Sequence, residues 1–470
     1  MQPTSADETA APAGSEIAIK PLEALKPDLC ERAWQSVPHP TLPLIATTHA
    51  KSVTVYSLST LSSHSTLTGG HTRSVRSAAW KPGLPPHKLC LVSGSFDATA
   101  GIWRWDGDQA GGDGGGGGSH EREITSANVH DQDDSDSDGG AGDREWEFTL
   151  VLEGHDSEIK SCAFSPSGAH LATSSRDKSV WIWEDIGATE EDDEWETIAV
   201  LNEHEGDVKA VEWCPDVPGR NSQRRYGSDV LASASYDNTV RIWREDNDGE
   251  WVCVAVLEGH EQTVWGIQWE PAPRGDRFPR LLTFSADATM RVWTLKDDED
   301  DGDDGAAGGA GRSALGGIPN TMRRSLREEW TCTAILPKAH TRDIYSAAWS
   351  KESGLVASTG GDGRIVLYKE SEEVVEDAAE NGNGQGDDVV MANGDEDGAA
   401  AAAAPPPPPA GSARWKVVGS RDNAHGPYEV NHITWCKRYD AAAAERRGEE
   451  EMLVTTGDDG VVQPWQVGAV

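Results

Sequence analysis

One phrase recurs along this chain and constrains what it can fold into. A histidine, most often after glycine, is followed nine residues later by Trp or Phe. Ser-x-Asp comes next, and six residues beyond that Asp a Trp or Tyr closes the unit. The clearest copy runs Leu152-Glu153-Gly154-His155, Phe164, Ser175-Arg176-Asp177 and Trp181-Ile182-Trp183. A unit that returns every ~40 to 50 residues cannot bury its apolar face alone and must stack on its neighbours. Gly-His openings with Trp-Asp-like closings mark the four-stranded blades of a WD-repeat β-propeller.

The histidines are His71, His155, His204, His260, His340 and His425, followed by Trp80, Phe164, Trp213, Trp269, Trp349 and Trp435, the last arriving one residue late. The turn aspartates are Asp97, Asp177, Asp237, Asp287, Asp362 and Asp459, with Gly360 and Gly457 replacing Ser in the last two copies. Trp103, Trp183, Trp243, Trp293, Tyr368 and Trp465 close the units. A degenerate copy precedes them: Trp34, the strand Leu44-Ile45-Ala46-Thr47-Thr48, and Ser52-Val53-Thr54-Val55-Tyr56. It has Ala50 where the Asp should stand and no matching His. The prediction is an all-β fold, one seven-bladed WD-repeat β-propeller over residues 15–470.

The repeated His and Asp read as staples. A buried imidazole that donates to the turn Asp, with hydroxyl and indole neighbours, satisfies polar groups that would be costly unpaired. The chain ends at Val470, after the third strand of the last blade. The missing outer strand is expected from Ser15-Glu16-Ile17-Ala18-Ile19-Lys20, which would close the ring and remove a sheet edge.

Five insertions interrupt the repeats. Residues 106–145, 297–326 and 370–411 are acidic or rich in Gly, Ala and Pro, and 216–229 and 437–451 lengthen turns in blades four and seven. They are poor in apolar side chains and are expected to be disordered, as are residues 1–14. Most of the formal charge of −39 lies in the first three. An acidic chain argues against binding nucleic acid or an anionic membrane. No apolar stretch approaches 18 residues, and the N-terminus lacks a charged-then-apolar leader pattern. The seven cysteines are scattered about one per blade with no Cys-x-x-Cys, which reads as buried reduced thiols in strands rather than metal or cluster ligands. The cytosol is the expected compartment, with the nucleus open beside it.

No Ser/His/Asp motif, phosphate-cradling loop or carboxylate pair stands out. Gly114 to Gly118 lack the Lys-Ser/Thr ending of a phosphate loop. The chain therefore reads as a non-enzyme without a cofactor, a rigid platform for protein partners. Two positions per blade should face out near the central channel. One precedes the turn Asp: Phe96, Arg176, Tyr236, Ala286, Gly361 and Asp458. The other follows the residue that enters the inner strand: Arg76, Lys160, Lys209, Trp265, Tyr345 and Asn431. Trp, Tyr and Arg dominate interface hot spots. The candidate partner-binding cluster is Arg76, Phe96, Lys160, Arg176, Lys209, Tyr236, Trp265 and Tyr345. A basic, aromatic ring suits a partner segment with carboxylates and an apolar anchor.

Several stretches resemble the cytosolic iron–sulfur protein assembly WD-repeat family. They are Ser95-Phe96-Asp97-Ala98-Thr99, the run from Ser174 to Glu184, Ala232 to Val240, Gly249-Glu250-Trp251-Val252-Cys253, and Leu257-Glu258-Gly259-His260-Glu261 leading into Thr263-Val264-Trp265. The resemblance spans all seven repeats and is strongest in blades two to five. It departs from the family in its long acidic insertions and degenerate first blade. What it implies is an adaptor that helps to deliver clusters to cytosolic and nuclear apoproteins. Such an adaptor works within a targeting complex of a small assembly partner and a large helical-repeat scaffold, and meets an iron-only-hydrogenase-like carrier. It places an exposed functional Arg at Arg176 and expects no cluster on the family's own cysteines. The alternative reading is a scaffold of another complex, such as a chromatin or ubiquitin-ligase recognition subunit.

Overall fold

The computed structural model describes residues 16–106, 146–187, 192, 194–216, 230–246, 248–273, 278–296, 327–371 and 414–469. Within them the strands assemble into seven four-stranded antiparallel sheets. Their inner strands are β2 (Ala33–Pro38), β6 (Val75–Trp80), β10 (Ile159–Phe164), β14 (Val208–Trp213), β18 (Val264–Trp269), β22 (Ile344–Trp349) and β26 (Val430–Lys437). Blade three shows the plan: β10 pairs with β11 (His170–Ser175), then β12 (Val180–Asp185), then β13 (Trp195–Leu201). Middle strands such as Leu231-Ala232-Ser233-Ala234-Ser235 are wholly buried, because each sheet is covered on both faces by neighbouring blades. One core cluster accordingly joins Val230, Ala232, Val240 and Ile242 of blade four to Val264, Trp269 and Leu281 of blade five.

The staple forms in six blades. In blade three His155 Nδ1 lies 2.8 Å from Asp177 Oδ2, its Nε2 lies 2.9 Å from Thr173 Oγ1, and Trp183 Nε1 donates to that hydroxyl at 3.0 Å. The His–Asp distances are 3.2 Å at His71, 2.8 Å at His204, 2.9 Å at His260, 3.0 Å at His340 and 2.9 Å at His425. Burial alone would raise the carboxyl pKa of Asp97, Asp177, Asp237 and Asp287. The hydrogen bonds from His and from the Thr or Ser two residues on outweigh it and hold these groups far below the usual range.

The ring closes as predicted. Strand β1 (Ile17–Pro21) pairs antiparallel with β28 (Val462–Ala469), from Ile17 opposite Ala469 to Pro21 opposite Trp465, and supplies the outer strand of blade seven.

Four expectations need correction. Residues 437–451 are ordered, not disordered. Arg438 is buried and held by Asp440 at 2.6 and 3.1 Å, and Asp440 also accepts from Ala442 N at the start of a 3-10 helix, Ala441–Arg446. Charges that pair with one another can order a segment that lacks an apolar core. Glu370, placed by sequence in the acidic insertion, is a residue of the strand β24 (Ile365–Ser371), and its carboxylate clamps Arg280 at 2.7 and 2.8 Å. Blade one has no position for a turn Asp, since its hairpin pairs His49 with Ser52 and leaves only Ala50 and Lys51 in the turn. The other insertion segments (107–145, 217–229, 297–326 and 372–411) and residues 1–14 lie outside the described residues. Of the cysteines, only Cys90, Cys162 and Cys436 are buried thiols in strands as expected; Cys253 and Cys332 lie in strands but are half-buried, Cys214 is buried but follows β14, and Cys30 is exposed in a loop.

Candidate functional site: the mouth of the central channel

Each inner strand bulges at its second residue. The register skips between Ala33 and Gln35, Val75 and Ser77, Ile159 and Ser161, Val208 and Ala210, Val264 and Gly266, Ile344 and Ser346, and Val430 and His432. The residues left out of the ladder are Trp34, Arg76, Lys160, Lys209, Trp265, Tyr345 and Asn431. A bulge leaves one residue unpaired and re-aims its side chain. Seven bulges thus make the strand ends into a ring around a central cavity of about 390 Å³, whose wall includes Arg76, Lys160, Lys209, Trp265, Tyr345 and Asn431.

The second predicted set lies just outside this ring. The backbone N–H of Phe96, Arg176, Tyr236, Ala286, Gly361 and Asp458 donates to the carbonyl of Ser74, Glu158, Asp207, Thr263, Asp343 and Glu429, the residue before each strand entry. That bond fixes the outer tier against the inner one, blade by blade.

The predicted cluster comes together as a chain of contacts. Lys160 Nζ lies 4.2 Å from the ring centre of Phe96, and Phe96 packs on Trp34 at 6.1 Å. Arg76 and Arg32 both lie 4.9 Å from the Trp34 ring centre. Lys209 sits 5.4 Å from both Tyr236 and Trp265, and Trp265 meets Tyr345 edge-on at 5.5 Å. Cations over aromatic faces are attracted by the ring quadrupole. Arg176 and Tyr236 stand at the rim, with side-chain exposure of 58% for the former and residue exposure of 61% for the latter.

Sequence reasoning missed two sets of residues here. Sequence reasoning names Trp34 in the degenerate copy but gives it no place in the ring. The structure places it at the bulge, one residue after Ala33, as Arg76 stands after Val75. The acids before strand entry were overlooked as well. Glu158 Oε2 accepts from Lys160 at 2.5 Å, while its Oε1 accepts from Arg73 at 3.2 Å and lies 3.6 Å from Arg176. Burial would raise the Glu158 pKa, but Lys160, Arg176 and Arg73 pull it below the ordinary value. Asp207 accepts from Lys209, Asp343 from Trp265 Nε1 and Glu429 from Tyr345 OH, at 3.1, 3.1 and 3.2 Å. Burial and Glu429 push the Tyr345 phenol up to about 12. The signal was available: an acid precedes the strand-entry residue in four copies.

The face is therefore electrically lopsided. On blades two to four Arg73, Arg76, Lys160, Arg176 and Lys209 outnumber Glu158 and Asp207, and on blades six and seven Asp343, Glu429 and Asp458 outnumber Arg342. Asp458 is itself engaged, accepting from Arg32 Nη2 at 2.6 Å and Asn431 Nδ2 at 2.8 Å. Among the described residues no group of three or more His, Cys, Asp or Glu side chains is arranged to hold a metal. Cys162 is buried and its thiol is pushed up to about 12; burial likewise raises Cys436.

The WD domain, G-beta repeat model matches residues 57–104, 146–184, 195–244, 251–294 and 330–369. The first match begins at Ser57, the last residue of the third strand of blade one, and ends in the third strand of blade two, so the sequence repeat is offset from the structural blade. Full-length relatives are similar throughout. A probable cytosolic iron-sulfur protein assembly protein 1 of Pyricularia oryzae is 60% identical over 97% of this chain and 98% of its own. Proteins of the same description from Neurospora crassa and Chaetomium globosum are each 58% identical, over 99% and 96% of this chain and 98% and 95% of theirs. With the seven staple-bearing or staple-replacing blades in place, this near end-to-end identity settles the matter: the chain belongs to the WD-repeat family of cytosolic iron-sulfur protein assembly protein 1.

Proposed function

We propose that this protein is a non-catalytic WD-repeat adaptor of cytosolic iron–sulfur assembly, docking protein partners on the channel mouth. The observation that carries this reading is the bulge ring. With the tier just outside it, the ring gathers Arg76, Phe96, Lys160, Arg176, Lys209, Tyr236, Trp265 and Tyr345, from five consecutive blades, onto one face. Arg and aromatic side chains clustered on a rigid frame are the groups that anchor interfaces. The frame is fixed by buried staples, so the face needs little reordering on binding. Membership of the family supports the choice of pathway. The partners are the other proteins of the iron–sulfur targeting complex and client apoproteins of the cytosol and nucleus. The cluster is cargo in this scheme and is not held by the chain's own thiols, of which the buried Cys162 and Cys436 are poor thiolates.

Affinity capture tests the reading, with wild type and Arg176→Glu as baits and mass spectrometry as readout. Wild type recovers iron–sulfur assembly factors and Arg176→Glu recovers several-fold less. Recovery of histones or ubiquitin-ligase subunits in their place would move the protein to a different complex.

A further inference from the structure

The inner tier of the ring carries a charge that its own carboxylates do not match. Three of its members, Arg76, Lys160 and Lys209, are cations from consecutive blades and line one cavity. Lys160 has Glu158, but Glu158 is shared with Arg73 and Arg176. Lys209 has Asp207. Among the described residues no carboxylate lies within ion-pair distance of Arg76. Its contacts are the Trp34 ring and the Trp34 carbonyl at 3.5 Å. Burial, then the nearby Arg32, lowers the Arg76 pKa to about 10, and Lys209 and Arg76 both help to depress Lys160.

The other titratable groups of the channel wall do not supply the missing charge. Glu212 is buried and raised to about 8, so it is largely uncharged at neutral pH. It accepts from Trp269 N at 3.2 Å and belongs to the wall between blades four and five. His432 is lowered to about 3 by burial and by Arg76, so it is neutral. Its Nδ1 accepts from Ser36 N at 3.4 Å, which leaves the proton on Nε2 as a donor. His432 and Arg76 both line the channel and keep part of their surface open to it.

We propose that the channel mouth at blades two to four binds a small multivalent oxyanion of the phosphate class. Arg76 supplies the planar fork that matches such an anion, Lys160 and Lys209 supply point charges, and His432 Nε2–H supplies a neutral donor. A cavity of about 390 Å³ holds a pyrophosphate with water to spare. The site shares Arg76, Lys160 and Lys209 with the proposed docking face, but it needs no partner to be occupied. The rim residues Arg176 and Tyr236 are left open above it.

Isothermal titration of the full chain with inorganic pyrophosphate tests the site, with inorganic phosphate beside it and acetate at matched ionic strength as the control. Pyrophosphate binds with one-to-one stoichiometry, phosphate more weakly, and acetate gives no saturable heat. Arg76→Gln and Lys160→Gln each weaken pyrophosphate binding roughly ten-fold or more, since a charge-assisted contact is lost. Lys296→Gln, exposed and paired with Glu329 away from the channel, leaves binding unchanged. Two variants are used so that a folding defect in one leaves the other informative. Equal heats for pyrophosphate and acetate, or wild-type affinity in both variants, would overturn the proposal. Loss of the anion site would leave the partner reading standing, since partner capture by the rim is measured without added phosphate.

Discussion

Blade one and blade three have the same four antiparallel strands and the same inner-strand bulge, yet different parts of the chain hold them. Blade three is fastened from within: His155, Thr173, Asp177, Ser179 and Trp183 form one hydrogen-bonded group inside a short stretch of sequence. Blade one has no such group. Its hydroxyls pair directly, Ser36 with Thr47 at 2.7 Å, and the rest comes from the segment after β1. Leu22, Leu25 and Leu29 donate their N–H groups to Pro464, Val462 and Gly460 of blade seven. On the other side Lys26 N donates to Leu61 O, Ser63 N to Lys26 O, and Tyr56 OH to Pro27 O at 3.0 Å. Leu25, Ile45, Tyr56, Leu58, Met452 and Val462 pack together beneath. A blade can thus be fixed by a local side-chain staple or by a long-range seam, and this propeller uses the seam where the ring closes.

Cutting the seam gives the largest effect. Deleting residues 1–24 removes β1, strips the buried Ile19 from its cluster and bares the edge of β28. The expected loss is about 3–5 kcal/mol, from one buried aliphatic side chain and a row of ladder hydrogen bonds, with a tendency to associate through the bare edge. Thermal unfolding measures it. An unchanged Tm would mean that β1 does not hold the ring closed, and that the seam fastening blade one needs no anchor beyond Leu25 to Leu29.

Removing a staple costs less. Asp177→Ala takes the carboxylate from His155 Nδ1 and from the backbone N–H of Ser179, now bonded at 2.8 and 2.9 Å, and leaves the imidazole only Ser179 Oγ at 3.3 Å. Unpaired buried donors cost about 1–3 kcal/mol. Amide hydrogen exchange should show lost protection in blades two to four and unchanged protection at the seam. Loss spread evenly around the ring would show that the staple acts globally.

Acid should act on the stapled blades in two stages. His204 and His260 are lowered, chiefly by burial and against the pull of Asp237 and Asp287. A histidine that is neutral when folded takes up its proton more readily when unfolded, so stability starts to fall as pH drops below about 6.5. Asp97, Asp177, Asp237, Asp287 and Asp362 are depressed, so their contribution is present above the unfolded carboxylate pKa of about 4 and is lost as pH falls below it. Urea midpoints from pH 8 to pH 3 should show a shallow decline and then a steep one. A flat profile down to pH 4 would mean that the two histidines titrate alike in both states.

Much of this was legible because the blade is a local object. The staple residues keep fixed spacings within each copy, so the six histidines, the six aspartates and the blade count could be read without knowing which blades touch. The closing strand was legible by elimination, since a ring with three strands in its last blade needs a fourth. What escaped reading depends on register. Trp34 is separated from Pro38 by only four residues, and only the pairing of Ala33 with His49 assigns it to the bulge. The ordered segment 437–451 looked like its acidic neighbours by composition, and differs in having Arg438 and Arg446 spaced to meet Asp440 and Glu450. The acids before strand entry act across the bulge, so their role appears only once the bulge does.

Arg176 is the smallest test of stability and the sharpest test of the division between staple and surface. It adjoins Asp177 in the chain, yet its side chain is 58% exposed and its one ion pair among the described residues, to Glu158, spans 3.6 Å. Exposed pairs contribute about 0–1 kcal/mol, so Arg176→Glu should leave the Tm close to wild type. Glu158 keeps Lys160 and Arg73, which preserves the inner tier. Partner capture should nevertheless fall several-fold and lose its salt dependence, because a carboxylate now faces the acidic segment that the Arg would have engaged. Arg176→Lys keeps the charge and loses the planar fork, so its capture should lie between the two. If Arg176→Glu unfolds the protein, the residue beside the staple is part of it, and the division between fixed and variable letters of the repeat fails at the position where it matters most.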